Sequence, residues 1–286
     1  MPKSTNAQAI NFSTYTIRRF KQVQSLLDQL DPQAPPQALI VPGSPTPEGK
    51  IIVFPGSFNP PTTAHLALLK QAWQFAREHG PMHIYAAISK HTTDKEYVQR
   101  PLLLDRIILL ETLLRYHLRH TGIMLFNRGL YVEQAEAVHS AFPQVTKLFF
   151  WVGFDKIVQV FDPRYYKDRN LTLRELFDLA EFLVAPRGEA GSAALTKLLD
   201  QSENRQFAGH VHMLPLSAAY RDISSTRIRQ SPTAYEQEVP PEVLRYIRET
   251  HAYEPPIELV DGSKIDYYGK RMHAIEAALK NANVEK

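Results

Sequence analysis

Cysteine is absent from all 286 residues. That excludes disulfides, thiolate catalysis and cysteine-ligated zinc, and it suits a reducing compartment. Equally absent is an apolar run of the roughly 20 residues that a membrane-spanning helix needs, and the opening MPKSTNAQAINF has no apolar core of the kind a secretion signal carries. Charge is close to balance, with 33 Lys and Arg against 30 Asp and Glu. No long block of like charges occurs, which argues against nucleic acid as a partner and leaves small anionic substrates open. The GxGxxG fingerprint is missing too, so a dehydrogenase-type dinucleotide site is disfavoured. What is present is 44% hydrophobic and 22% charged residues, a composition that builds a real apolar core. A cytoplasmic protein without membrane contacts is the expectation, its oligomeric state left open.

Hydrophobic spacing organises the chain. Ile17, Phe20, Val23, Leu26, Leu27 and Leu30 recur at helical intervals in residues 15–30. Six prolines between Asp31 and Lys50 then read as an extended connection rather than an element. From residue 50, short apolar runs (51–54, 84–88, 123–126, 148–152, 182–185, 211–214) alternate with helical patterns (66–79, 101–118, 132–142, 154–161, 193–199). This predicts an α/β fold with right-handed crossovers and a parallel sheet covered on both faces. The run LFFWV at 148–152 is apolar throughout, as in a strand buried on two sides. Pro101 and Pro241 mark helix starts, and Gly80 marks a helix end. The boundaries that follow are 1–49 for the first helix and connection, 50–253 for the main domain, and 254–286 for a tail with a helical pattern through Met272, Ile275, Ala278 and Leu279.

Two corners could carry chemistry. FPGSFNPPTTAHL at 54–66 leaves the carboxyl end of the first core strand, where open parallel sheets bind ligands. Gly56 and Ser57 allow close backbone approach, Pro60 and Pro61 stiffen the turn, and a helix starting near Thr63 would point N–H groups at an anion beside His65. An ordinary strand-to-helix turn with a surface histidine fits the same residues. The second corner, RDISSTRIRQ at 221–230, places Ser224, Ser225 and Thr226 before Arg227 and Arg229. It reads as a polyphosphate cradle or as a cluster of capping hydroxyls with solvated arginines. GSPTPEGK at 43–50 imitates a Walker loop but has Ile51 in place of Ser or Thr and precedes a strand instead of following one, so it is discarded. The pairs His117/His120 and His210/His212 lack a third ligand and read as structural.

GSFNPPTTAH (Gly56–His65) resembles the (H/T)xGH corner of the nucleotidylyltransferase superfamily, and ISSTRIR (Ile223–Arg229) resembles its ISSTxxR signature. VGFDKIVQVFDPRYY (152–166), FLVAPRG (182–188) and VPPEVLRYIRETHAY (239–253) look most like the nicotinamide or nicotinate mononucleotide adenylyltransferases. Residues 50–253 carry the likeness. It implies a Rossmann-like doubly wound sheet and adenylyl transfer from ATP, with Mg2+ carried on the triphosphate, to a pyridine mononucleotide. The alternatives are nucleotidyl transfer to another phosphomonoester and a non-catalytic nucleotide-binding module.

The resemblance also implies roles. His65 would contact the transferred phosphate, with Thr62 in place of the first histidine of many members and Arg229 sharing the charge. Gly56, Ser57, Phe58 and Lys90 would line the ATP site, Gly153 and Asp155 would serve the adenosine, and Ser224, Ser225 and Thr226 the outgoing phosphates. No residue of the chain is assigned to metal. For the mononucleotide the candidates are Tyr165, Tyr166, Arg187 and Trp151, the last reading as core because it lies within a strand. Ala64 stands where the family has glycine and adds one methyl that limits how closely a nucleotide approaches.

Overall fold

The computed structural model describes residues 10–91, 100–185, 191–214, 217–220 and 222–281. The chain opens with α1 (Thr14–Gln29), N-capped by the Ser13 hydroxyl, which accepts from the Thr16 N–H, and with the short β1 (Ala38–Ile40). The alternation then runs β2 (Gly49–Pro55), α2 (Thr63–His79), β3 (Met82–Ser89), α3 (Leu103–His117), β4 (Thr121–Phe126), α4 (Tyr131–Ala141) and β5 (Val145–Gly153). It continues with α5 (Phe154–Phe161), α6 (Arg169–Leu179), β6 (Glu181–Ala185), α7 (Gly191–Leu199) and β7 (Val211–Met213). The chain closes with α8 (Ser225–Gln230), α9 (Pro241–Thr250), a two-stranded ribbon of β8 (Ile257–Glu258) and β9 (Lys264–Ile265), and α10 (Tyr267–Asn281).

Seven strands form one sheet in the order β1-β4-β3-β2-β5-β6-β7. Every neighbouring pair is parallel except β1, which runs antiparallel to β4 at the edge. With that edge set aside, β2 is the first strand of a doubly wound sheet. The chain winds outward through β3 and β4, then returns to the other side of β2 for β5, β6 and β7. Such a reversal leaves a crevice outside the carboxyl ends of β2 and β5. The first corner emerges from one of these strands, and Gly153 closes the other.

Period two sorts the apolar runs onto two faces. From β5, Phe149 and Trp151 join one layer with Ile52, Phe54, Ile84 and Ile88. Leu148, Phe150 and Val152 join the other with Ile51, Val53 and Tyr85. The first layer is covered by α1, α2, α3, α9 and α10, and the second by α4, α5, α6 and α7. Phe20, Val23 and Leu27 of α1 and Ile275 of α10 are buried in the first layer, so both terminal helices lie against the domain. Tight packing fixes Gly122 on β4, where an added Cβ would come within 2.6 Å of the Tyr85 ring.

Three expectations change. The proline-rich connection contains β1, because Ala38, Leu39 and Ile40 form a proline-free run at a sheet edge, the position where flanking prolines are tolerated. The predicted alternation omits α6, whose start is capped by the Asp168 carboxylate accepting from the Leu171 N–H. Two helices therefore fill the crossover from β5 to β6. Pro101 precedes α3 instead of opening it, whereas Pro241 is the first residue of α9 and Gly80 closes α2 at φ 97°.

Candidate active site

The first corner is ordered from within. Gly56 anchors it by donating its N–H to Ala87 O at 2.9 Å, and a Cβ at Gly56 would meet the Phe58 ring at 3.0 Å. Phe58 has φ 43°, a left-handed conformation that costs a bulky residue free energy and persists only under tertiary constraint. The constraint is burial. Its ring has no exposure, lies edge-on to Phe54 at 5.6 Å and backs the His65 imidazole at 4.9 Å. Phe58 therefore supports the histidine from behind rather than lining the ATP site with its side chain.

Thr62 is the N-cap of α2 and is 1% exposed. Its hydroxyl accepts from the His65 N–H at 3.3 Å, and His65 Nδ1 accepts from the Thr62 N–H at 2.9 Å. A backbone N–H can only donate, so Nδ1 carries no proton, and a neutral ring then carries its proton on Nε2. The Thr62 hydroxyl also lies 2.8 Å from Nδ1, donating to it. The backbone N–H of residue 62 thus fixes the tautomer, the threonine hydroxyl conforming to it, and the half-buried imidazole is set as a donor through Nε2. Ala64, in the first turn of α2, is 9% exposed.

The second corner reaches across to the first. Arg229 donates to Asn59 O at 2.7 Å and to the Thr226 hydroxyl at 3.2 Å. Ser225 donates to Pro60 O at 2.9 Å, and Thr63 donates to Glu238 O at 3.1 Å. Tyr253, from beyond α9, donates to Asn59 Oδ1 at 2.8 Å. Burial holds the Tyr253 phenol well above the ordinary tyrosine range. Ser224 occupies the N-cap of α8. Arg227, by contrast, turns outward to Glu238 at 3.1 Å and over the Tyr235 ring.

Beside this junction opens a cavity lined by Gly56, Ser57, Arg106, Lys156, Tyr165 and Tyr166 among others. Tyr166 donates to Val160 O at 2.8 Å, and burial pushes its phenol up to about 12. Both tyrosines expected to take the mononucleotide thus share one cavity with two residues expected to take ATP. Gly153 caps α5 at the carboxyl end of β5, and Asp155 is exposed in the first turn of that helix.

Other candidates lie elsewhere. Trp151 is wholly buried in the first apolar layer. Lys90 is turned away from the junction, with its ammonium on the carbonyls of Leu27 and Leu30 at 2.6 and 2.7 Å, closing the end of α1. Arg187 lies outside the described residues. His117 and His212 pair with Glu242 and Glu181. Among the described residues no cluster of three or more His, Asp or Glu side chains is placed to hold a metal ion, and no helix is long and apolar enough to cross a membrane.

Arg106 is the cavity residue that the motifs do not reveal. A sequence signal exists: it stands in LLLDRIILLETLL (102–114), a helix otherwise almost wholly apolar. Burial and, secondarily, the charge of Arg229 hold its guanidinium below the ordinary arginine range.

The model of the cytidylyltransferase-like family matches residues 53–231, more than half of the chain, and takes in both corners. A Schizosaccharomyces pombe protein named "Putative nicotinamide mononucleotide adenylyltransferase" is 23% identical over 221 residues, covering 71% of this chain and 86% of that protein. The crystal structure of a "Putative Nicotinate-nucleotide Adenylyltransferase" from Vibrio parahaemolyticus is 16% identical, covers 72% of this chain and 95% of its own, and superposes with a TM-score of 0.42. With its doubly wound sheet, paired corners and family match, the chain belongs to the cytidylyltransferase-like family of the nucleotidyltransferase superfamily.

Proposed function

We propose that the protein transfers the adenylyl group of ATP to a pyridine mononucleotide, giving a dinucleotide and pyrophosphate. A 5′-phosphate oxygen of the mononucleotide attacks the α-phosphorus of ATP. One P–O bond forms there, the bond bridging to the β-phosphate breaks, and its electron pair leaves on pyrophosphate. The nucleophile belongs to the substrate, so the protein's task is to align two anions and stabilise the charge that grows on their oxygens. His65 would donate through Nε2 to the transferred phosphate. Arg229 with Ser224, Ser225 and Thr226 would receive the outgoing phosphates, and Tyr165 and Tyr166 would flank the pyridine nucleoside. Asp155 beside Gly153 suits a ribose hydroxyl. Magnesium would arrive on the triphosphate as part of the substrate, held by phosphate oxygens and water.

One observation carries this reading. The two corners are hydrogen-bonded to each other at the carboxyl end of β2, through Arg229 to Asn59 and Ser225 to Pro60. A histidine that donates and a guanidinium that can receive leaving phosphates therefore belong to one site. The test is the purified protein with ATP, magnesium and either nicotinamide or nicotinate mononucleotide, read by dinucleotide and pyrophosphate release. Formation of neither dinucleotide would overturn it. Substituting CTP in the same assay tests transfer of a different nucleotidyl group.

A further inference from the structure

Arginine keeps its proton under all ordinary conditions, and a buried charge without a partner costs several kcal/mol even after relaxation. Arg106 comes near that description, half-buried as a residue and with one guanidinium nitrogen sealed from solvent. Its Nε is buried with no hydrogen-bond partner, its side chain has no ion pair among the described residues, and it lines the cavity beside Gly56 and Ser57. The obvious carboxylate is its own neighbour, Asp105, but that group is already engaged. Asp105 is 1% exposed and receives a bidentate pair from Arg271 of α10 at 2.7 and 2.9 Å, together with the Tyr268 hydroxyl at 2.8 Å. Another cation, Arg229, acts on Arg106 with a field that opposes its charge. Tyr253 lies between these elements, bonded to Asn59. One guanidinium thus lines the cavity and a second stands near enough to repel it, an arrangement that an entering anion would complete.

We propose that Arg106 is a substrate-binding residue of this site, which takes the 5′-phosphate of the acceptor mononucleotide and turns one oxygen toward the α-phosphorus of ATP. This rests on the adenylyl-transfer reading above. The cavity shared with Tyr165 and Tyr166 places the acceptor's base within reach of the same guanidinium, and a planar fork matches a phosphate with two parallel hydrogen bonds. Arg229, held by Asn59 and Thr226, remains for the departing pyrophosphate. The tie of Asp105 to Arg271 acquires a purpose: the C-terminal helix takes up the carboxylate that directly precedes Arg106 in the chain.

The test compares nicotinamide mononucleotide with nicotinamide riboside, which lacks only the phosphate, by calorimetric titration of the wild type, Arg106→Gln and Arg106→Met. The wild type is expected to prefer the nucleotide. Both variants should bind the nucleotide roughly ten- to a hundredfold more weakly, the range for losing a charged hydrogen bond, with riboside binding unchanged. The melting temperature of the ligand-free variants should hold or rise, because an unpaired buried charge has gone. A preference for nucleotide retained by both variants would overturn the proposal. So would a fall in melting temperature or loss of folded protein in both, which would assign Arg106 to the framework. A wild type that forms dinucleotide while the variants bind nucleotide normally sinks this inference alone; a wild type that forms no dinucleotide with either mononucleotide sinks the adenylyl-transfer reading first, and this one with it.

Discussion

The two corners are built on opposite plans. Residues 55–65 close on themselves: the Thr62 and His65 groups satisfy one another, and the buried Phe58 ring supports the imidazole. Residues 224–230 form a short helix whose capping residue makes no side-chain cap bond and whose Ser225 and Arg229 side chains bond to the other corner. The imidazole is thus held largely within its own corner, whereas the Arg229 guanidinium is anchored on Asn59 of the other corner as well as on Thr226 of its own helix. In the reaction proposed above, such a site would hold its reacting centre rigid while the exit side yields to product.

That contrast can be broken at either end. His65→Ala removes the Nε2 donor and should lower turnover about 100- to 1000-fold, the cost of losing one such donor, while the dissociation constant for ATP changes modestly; single-turnover kinetics beside equilibrium binding separates the two. A protein that only senses nucleotide would show no turnover to lose. Arg229→Lys keeps the charge but not the fork that reaches both Asn59 O and the Thr226 hydroxyl. A rate reduction of roughly 10- to 100-fold is expected from the loss of one charged hydrogen bond, and the wild-type rate in this variant would show that the second corner needs only a point charge.

Smaller changes sharpen the comparison. Thr62→Val removes the cap and should destabilise the fold by about 1 kcal/mol, with Thr62→Ser restoring most of it in denaturant melts. Ser225→Ala loses one neutral hydrogen bond, also worth about 1 kcal/mol at most, and the effect should be local: amide exchange should quicken in α8 and stay unchanged in α2. Equal quickening in both would mean that the corners are one cooperative unit. The last effect is one of pH. The Arg100 guanidinium, first among several causes, holds the Asp266 carboxyl below its ordinary range at the start of α10. A carboxylate with a depressed folded pKa stabilises above the unfolded value, near 4, and that contribution disappears as pH falls through the lower folded value. Exchange in α10 should therefore rise in acid before exchange in β2 does.

Much of this was legible in the chain itself. The strands of the core and most of its helices follow from local spacing, and the family resemblance of the two corners singles out Gly56, Ser57, Thr62, His65 and Arg229, which the fold brings to neighbouring positions. Lys90 and Trp151 were less so. Lysine at the end of a strand reads as a phosphate ligand until the carbonyls of Leu27 and Leu30 are found 63 and 60 residues away. Trp151 is a candidate for a flat base although its place within a strand reads as core, and the sheet register, which pairs it with Leu183, puts it inside. Arg106 gave a weak signal, a cation in an apolar helix, whose meaning depended on which carboxylates were free.

Periodicity, caps and turn residues act within a few positions, so the order of letters alone dictated most of the elements and the capped histidine, whereas the left-handed turn at Phe58 is held by burial in the fold. Pairing of charges acts through space. Asp105 finds Arg271 across 166 residues, and that choice leaves Arg106 facing the cavity beside Arg229. Which cation stays without an anion is a property of the folded arrangement, since electrostatic partners are chosen by distance and burial, neither of which the linear order contains.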